Sequence, residues 1–347
     1  MDLLTALTGW MLWAYRRPRT FLVGCVILPL LLMLVFAYRF NATLWRRHLL
    51  DNLHVTSRLA AEIVDETRQE TLRFETLLTA QPGFLDDVQQ RNRQQLAQRL
   101  QAALGLVPRA EAALVTTLQG DVLASFPEPS DLTPQEVIEG DPFVGAQHNG
   151  WRPYISAVYL RDGDPPEKVV SIVLPLKVGD TPIGLLQVRH RIEDIKSWLQ
   201  KIRVEPSGFL YVVDHHDQLV VFPLQILPGR PLVVSSWPPV AQPLTSEGTT
   251  LRFIDSKHHQ RWLAGVYPVG TTGWRVVAVQ PERAALGAFH QMFWSLAVLV
   301  IMLGVLVILV GMRWAQLHTF SLQMMRQNTK LLKQMHQRRI IDRPPDT

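Results

Sequence analysis

Two stretches without a single charge constrain this chain more than anything else in it. Residues 21–38 read FLVGCVILPLLLMLVFAY and residues 292–312 read MFWSLAVLVIMLGVLVILVGM. A hydrocarbon core about 30 Å thick takes roughly 20 apolar residues in a helix, and a continuous apolar run excludes the alternation of a barrel strand. Lipid offers no partners to backbone polar groups, so each stretch reads as a membrane helix, with Pro29 tolerated where neighbouring helices absorb its kink. The first run is longer than a signal-peptide core of about 7–15 residues. Arg39, Phe40 and Asn41 follow it in place of a small-residue cleavage site, so it is expected to stay as an anchor.

Charge sets the expected orientation. Arg16, Arg17 and Arg19 precede the first run, and Arg313, Arg326, Lys330, Lys333, Arg338, Arg339 and Arg343 follow the second, against Asp342 and Asp346. Lys and Arg near helix ends are retained on the cytoplasmic side, which predicts two passes with both termini inside. Arg39, Arg46 and Arg47 weaken that bias without reversing it. The net charge of +5 is therefore a topology signal. Its carriers are juxtamembrane and are not interleaved with aromatics on one domain, which argues against nucleic acid as a partner.

The single cysteine, Cys25, lies in the first apolar run, so the outer domain has neither disulfides nor thiol ligands. At about 250 residues that domain is large enough for its own core and is expected to be two modules. Residues 41–80 predict one long helix, with Leu49, Leu53, Ala60, Ile63, Thr67, Phe74 and Leu77 recurring at helical steps. A second helical stretch is expected over 86–104. Residues 114–126 (LVTTLQGDVLASF) and 210–222 (LYVVDHHDQLVVF) then each read as a hairpin that runs into Phe-Pro, which suggests a duplicated unit. Strand pairs are expected at 168–177 with 183–191 and at 261–268 with 274–280, and a joining helix at 192–202. Small antiparallel sheets with helices on one face make this an α+β protein.

Residues 140–146 followed by 151–156, residues 208–214 running to Phe222, and residues 272–281 just before the second apolar run carry a resemblance. In that order and spacing the chain resembles the double Cache sensor domains of bacterial chemoreceptors, histidine kinases and diguanylate cyclases. The resemblance implies two PAS-like antiparallel-sheet modules in tandem, held on a stalk helix between two transmembrane helices. The expected layout is a cytoplasmic tail (1–20), a membrane helix (21–38), the stalk (41–80), a membrane-distal module (81–202), a membrane-proximal module (203–290), a second membrane helix (292–312) and a short basic cytoplasmic tail (313–347). It further implies a bacterial inner-membrane protein, its central domain outside, acting as a homodimer.

Members of that family bind small molecules in the distal module. Carried over residue by residue, the implied pocket is Phe143, Trp151, Arg152, Tyr154, Ser156, Tyr159, Asp162 and Gln187: an aromatic wall, one cation for a carboxylate and one anion for an amine. The family's amino-acid pattern sets an arginine before Trp-Tyr and a later Tyr-x-Asp. Here Trp151 precedes Arg152, Pro153 interrupts, and Tyr159 is three residues from Asp162, which argues against transferring amino-acid recognition. Tyr154 and Ser156 equally suit plain strand positions, and Trp151 a core anchor.

No metal or cofactor is expected. His215 and His216 fall in a hairpin turn and His258 and His259 in a polar one, and neighbours on a strand point to opposite faces, so solvated turn residues are the expectation. No nucleophile elbow, phosphate-binding loop, His-Glu-x-x-His or Cys-x-x-Cys occurs, which points to a binder and not an enzyme. Residues 314–347 are expected to be too short for a kinase, cyclase or methyl-accepting domain. A coiled coil on Leu317, Met324, Leu331 and Met335, a basic helix on lipid, and an unstructured end all remain open for them. Two functions follow: a sensor that relays a ligand signal to a separate cytoplasmic enzyme such as a histidine kinase or diguanylate cyclase, or an envelope scaffold of the polysaccharide chain-length-regulator type. Strands dominate after Ala110 and the second apolar run lacks proline, both of which favour the sensor.

Overall fold

The computed structural model describes residues 18–341 apart from 106–109, 128–131, 162–165, 200–201, 205–206, 223–230 and 256–258. The chain divides into two units, one holding the residues up to Trp45 and those from Gly287 onward, the other Arg46–Leu286.

The larger unit opens on the second half of helix α1 (Pro18–Thr79), which is uninterrupted over 62 residues. Leu49, Leu53, Ser57, Ala60, Ala61, Val64, Thr71, Glu75 and Leu78 are buried along it, at the three- and four-residue steps of one helix face. This corrects the outer half of the expected stripe, because Ile63 and Leu77 point to solvent. The stripe there passes through polar residues, which a search for apolar periodicity skips. The expected second helix is in fact two, α2 (Phe84–Gln89) and α3 (Arg93–Leu104). Arg91 takes a positive φ of 55° between them, and the Asn92 side chain accepts the Gln95 N–H to start α3.

The first sheet follows: β1 (Ala110–Thr117), β2 (Val122–Phe126), helices α4 (Pro134–Glu139) and α5 (Asp141–His148), then β3 (Tyr154–Ile155), β4 (Tyr159–Arg161), β5 (Glu167–Val178) and β6 (Thr181–Arg191). All pairs are antiparallel, in the order β2-β1-β6-β5-β3, with β4 also on β5. Alternation sends neighbours to opposite faces. Val115, Leu176, Leu186 and Val188 pack against Leu78, Phe84, Leu96 and Leu100 of the helices, while Val173 and Leu185 face Val137 of α4 and Phe143 and Ala146 of α5. This sheet is therefore covered on both faces, not on the one expected. Each fully buried aliphatic or aromatic side chain contributes about 1.5–3 kcal/mol.

Helix α6 (Ile192–Leu199) leads to the second sheet: β7 (Phe209–Val213), β8 (Leu219–Val221), β9 (Thr249–Ile254), β10 (Arg261–Pro268) and β11 (Arg275–Pro281), in the order β8-β7-β11-β10-β9. Numbered along the chain within each five-strand path, both sheets read 2-1-5-4-3. Tyr211, Val213, Ala264, Val266 and Val277 form a core with Trp237 and Trp262. Gly265 presses on α1, where a Cβ would lie 2.5 Å from the Leu53 carbonyl. The short α7 (Glu282–Ala285) closes the unit, with Glu282 paired to Arg46 and Arg252 at 2.8 Å each.

In the smaller unit the first part of α1 lies with α8 (Gly287–Ile341). Among the described residues, these are the two helices long and apolar enough to cross a membrane, with mean hydropathy 1.7 and 3.0 in their most apolar windows. Leu32, Met33, Phe36, Leu299, Met302 and Val310 are all at least half exposed, an apolar surface that lipid would cover. Tyr38 packs on Phe289 and Phe293 and its hydroxyl lies 3.1 Å from His290 Nε2, an aromatic collar of the kind found at a membrane–water boundary.

Candidate ligand-binding site

The outer face of the first sheet is roofed by α4 and α5. Helix α4 starts on a capping box: Thr133 Oγ1 accepts the Glu136 N–H while Glu136 Oε2 accepts the Thr133 N–H at 2.7 Å. That backbone hydrogen bond holds the Glu136 carboxyl below its ordinary range. Asp141 and Pro142 then open α5, and Phe143 and Ala146 point to the sheet. Trp151 stacks edge-on to Phe143, with centroids 5.7 Å apart. It does so at φ +54°, a conformation costly for a bulky side chain, which its ring packing must offset. Gly145 is required by a close approach, since a Cβ there would overlap the Tyr154 ring.

Strand register shows which of the expected residues meet. Leu114 pairs with Gln187, Gln187 with Val173, and Val173 with Tyr154, so one row crosses four strands on the face beneath α5. Gln187 is buried in it and Tyr154 half-buried. One row over, Ser156 is fully buried, where its Oγ accepts the Ser171 N–H at 2.8 Å and donates to the Ala157 carbonyl. The Tyr159 and Ser171 hydroxyls are 2.6 Å apart. Thr116 Oγ1 is buried on the same face with no hydrogen-bond partner among the described residues. Tyr154, Ser156, Tyr159 and Gln187 are thus gathered on one surface. Phe143 and Trp151 belong to the apolar cluster that carries the roof, Arg152 is exposed on the turn after α5, and Asp162 lies outside the described residues.

Tyr154 also belongs to a polar group that sequence reasoning missed. Its hydroxyl is 3.2 Å from Asp141 Oδ2 and 2.7 Å from His215 Nε2 of the β7–β8 turn. Asp141 Oδ2 accepts the Ala157 N–H at 2.6 Å, and Asp141 Oδ1 lies 3.2 Å from His216 Nε2 and 4.0 Å from His215 Nε2. Asp214, at the base of that turn, accepts three backbone N–H groups, from His216, Gln218 and, across the junction of the two sheets, Val158. Burial raises the Asp214 carboxyl, and these donors oppose it. Burial first and then Asp141 push the Tyr154 phenol up, so it stays a neutral donor. Burial draws His215 down, against the pull of Asp141. The expectation that adjacent histidines diverge is corrected here. His215 and His216 lie in the turn expected for them, but their rings are 4.4 Å apart and both reach toward Asp141.

The family model of the Cache domain matches residues 45–289. Among solved structures, the chain is similar to the ligand-binding domain of the chemoreceptor PctB of Pseudomonas aeruginosa PAO1 in complex with L-Gln, at 15% identity and TM-score 0.53, covering 68% of this chain and 92% of that one. It is similar to the ligand-binding domain of the chemoreceptor CtaA of Pseudomonas fluorescens in complex with L-isoleucine, at 12% identity and TM-score 0.55, covering 72% and 98%. It is also similar to the extracellular domain of mmHK1S-Z3, described as a histidine kinase, at 12% identity and TM-score 0.52, covering 72% and 98%. No curated protein matches the chain.

Proposed function

Since this chain belongs to the Cache domain family over residues 45–289, we propose that it is a membrane-anchored extracytoplasmic sensor that reports a small carboxylate or amine to a cytoplasmic signalling partner. The observation that carries this reading is the row Leu114–Gln187–Val173–Tyr154 under the α4–α5 roof. It combines an apolar floor with Tyr154, Gln187 and the unpartnered Thr116 hydroxyl, the mixture a small-molecule site needs. Relatives of this fold were solved with L-Gln and L-isoleucine, ligands that each carry both a carboxylate and an amine.

In this reading the two sheets are tandem PAS-like modules, the first distal to the membrane and the second proximal. The outer half of α1 is the stalk, and both termini are cytoplasmic in the bacterial inner membrane. Helix α1 holds both the charge-free run and the packed stalk, and in this reading it is the element along which a displacement is carried. A ligand moves that equilibrium only by binding one arrangement better than the other. The receiver is a histidine kinase or diguanylate cyclase, engaged by a dimer of this chain.

The test is a thermal-shift screen of the full-length protein in detergent against carboxylates, amines and amino acids. A true ligand at a hundredfold its Kd stabilises the folded state by about 2.7 kcal/mol, a readily seen rise in Tm. Gln187→Ala should abolish the rise for the same compound. A flat response across the panel, with co-purification of envelope-assembly proteins, supports the scaffold reading instead.

A further inference from the structure

The junction of the two sheets holds a second constellation, which meets the row under α5 at Tyr154. Asp141 stands at the first position of α5, and His215 and His216 come from the β7–β8 turn about seventy residues later in the chain. One ligand atom from each, two imidazole nitrogens and a carboxylate oxygen, lie within 4.8 Å of one another. In a tetrahedral zinc site with bonds of 2.0–2.1 Å, ligand atoms stand about 3.3 Å apart. The His216 Nε2 to Asp141 Oδ1 distance of 3.2 Å already meets that, while His215 Nε2, at 4.0 Å from the same oxygen, must move closer when an ion binds. Asp141 is oriented as ligating carboxylates are: Oδ2 accepts the Ala157 N–H at 2.6 Å, which turns Oδ1 to the histidines.

We propose that Asp141, His215 and His216 form a binding site for a divalent transition-metal ion, which ties α5 of the first sheet's module to the β7–β8 turn of the second. Two imidazoles and one carboxylate suit Zn²⁺, Ni²⁺ or Cu²⁺ and disfavour the hard, oxygen-seeking Mg²⁺ and Ca²⁺. Three protein ligands leave one position open, for water or for a group brought by a partner. The Tyr154 hydroxyl, 2.7 Å from His215 Nε2, occupies that nitrogen without metal and must release it when metal binds. Because Asp141 starts the helix that roofs the Tyr154–Gln187 row, metal binding would stiffen the roof over it.

The test uses the full-length protein in detergent, purified without a histidine tag and stripped with a chelator. Zn²⁺ is titrated in competition with a chromophoric chelator, and Co²⁺ substitution is followed by its visible absorption. One ion per chain is expected with a four-coordinate cobalt spectrum. His216→Ala, which removes a half-exposed side chain and leaves the fold intact, should weaken binding at least about tenfold, as should Asp141→Asn. His48→Ala, on the exposed surface of α1, should change nothing. Failure of the wild type to hold one ion, or equal affinity in wild type and His216→Ala, overturns the proposal. No organic ligand enters the measurement, so its outcome is independent of the sensor test.

Discussion

Glu75 stands in the buried stripe of α1, fully enclosed against the first sheet. Burial pushes its carboxyl well above the ordinary carboxylate range, and the Val188 backbone N–H offsets this only in part. The folded chain therefore keeps a proton that the unfolded chain loses near about pH 4.3. Between those two points the folded state binds more protons, so stability falls as pH rises. Glu75→Gln carries no charge and is expected to melt above wild type at pH 7.5, with the gap closing by pH 4; thermal melts at both pH values check this. A gap that does not change with pH would show that desolvation of the charge is not the cause. Gly145 makes the second prediction at this scale. A methyl there meets the Tyr154 ring, so Gly145→Ala should cost about 1–3 kcal/mol of overpacking and displace the hydroxyl shared by Asp141 and His215. Denaturant unfolding measures the first effect, and a weakened response in the ligand screen the second.

At the scale of elements, the backbone contact between α1 and β10 matters most. Gly265 lets the helix lie directly on the strand, with the Leu53 carbonyl 2.5 Å from where a Cβ would be. Neither partner at that point is a flexible side-chain tip, so Gly265→Ala must push the helix outward. It is expected to destabilise by about 1–3 kcal/mol, read as a lower midpoint in urea at an unchanged slope. The β7–β8 turn is the other junction. Asp214→Ala strands three backbone N–H groups at once, one of them on Val158 beside the first sheet, and a buried unpaired donor costs about 1–3 kcal/mol. The loss should exceed that of Gly145→Ala. Hydrogen exchange should find the protection lost first at Val158, His216 and Gln218.

For the whole molecule, the order of residues was enough to mark the two charge-free runs, because burying some twenty apolar side chains in lipid needs no help from the rest of the chain. Strands were equally open to reading: β10 over Arg261–Pro268 falls where its apolar run and the short turn after it put it. The hairpins at 114–126 and 210–222 likewise fall in corresponding places of two sheets with one strand order. Short elements were harder. Helices α4 and α5 have six and eight residues, too few for a helical period to show, so residue pattern alone did not mark the roof over the first sheet. The buried stripe of α1 was misplaced beyond Ala60 because Thr71 and Glu75, polar residues, are what it buries. The resemblance to a known family could nominate Tyr154, Ser156, Tyr159 and Gln187, and strand pairing then set them side by side. No local pattern could bring Asp141 to His215 and His216. Their meeting depends on how α5 lies against the turn of the second sheet, a relation that appears in neither segment's periodicity and exists only in the folded chain.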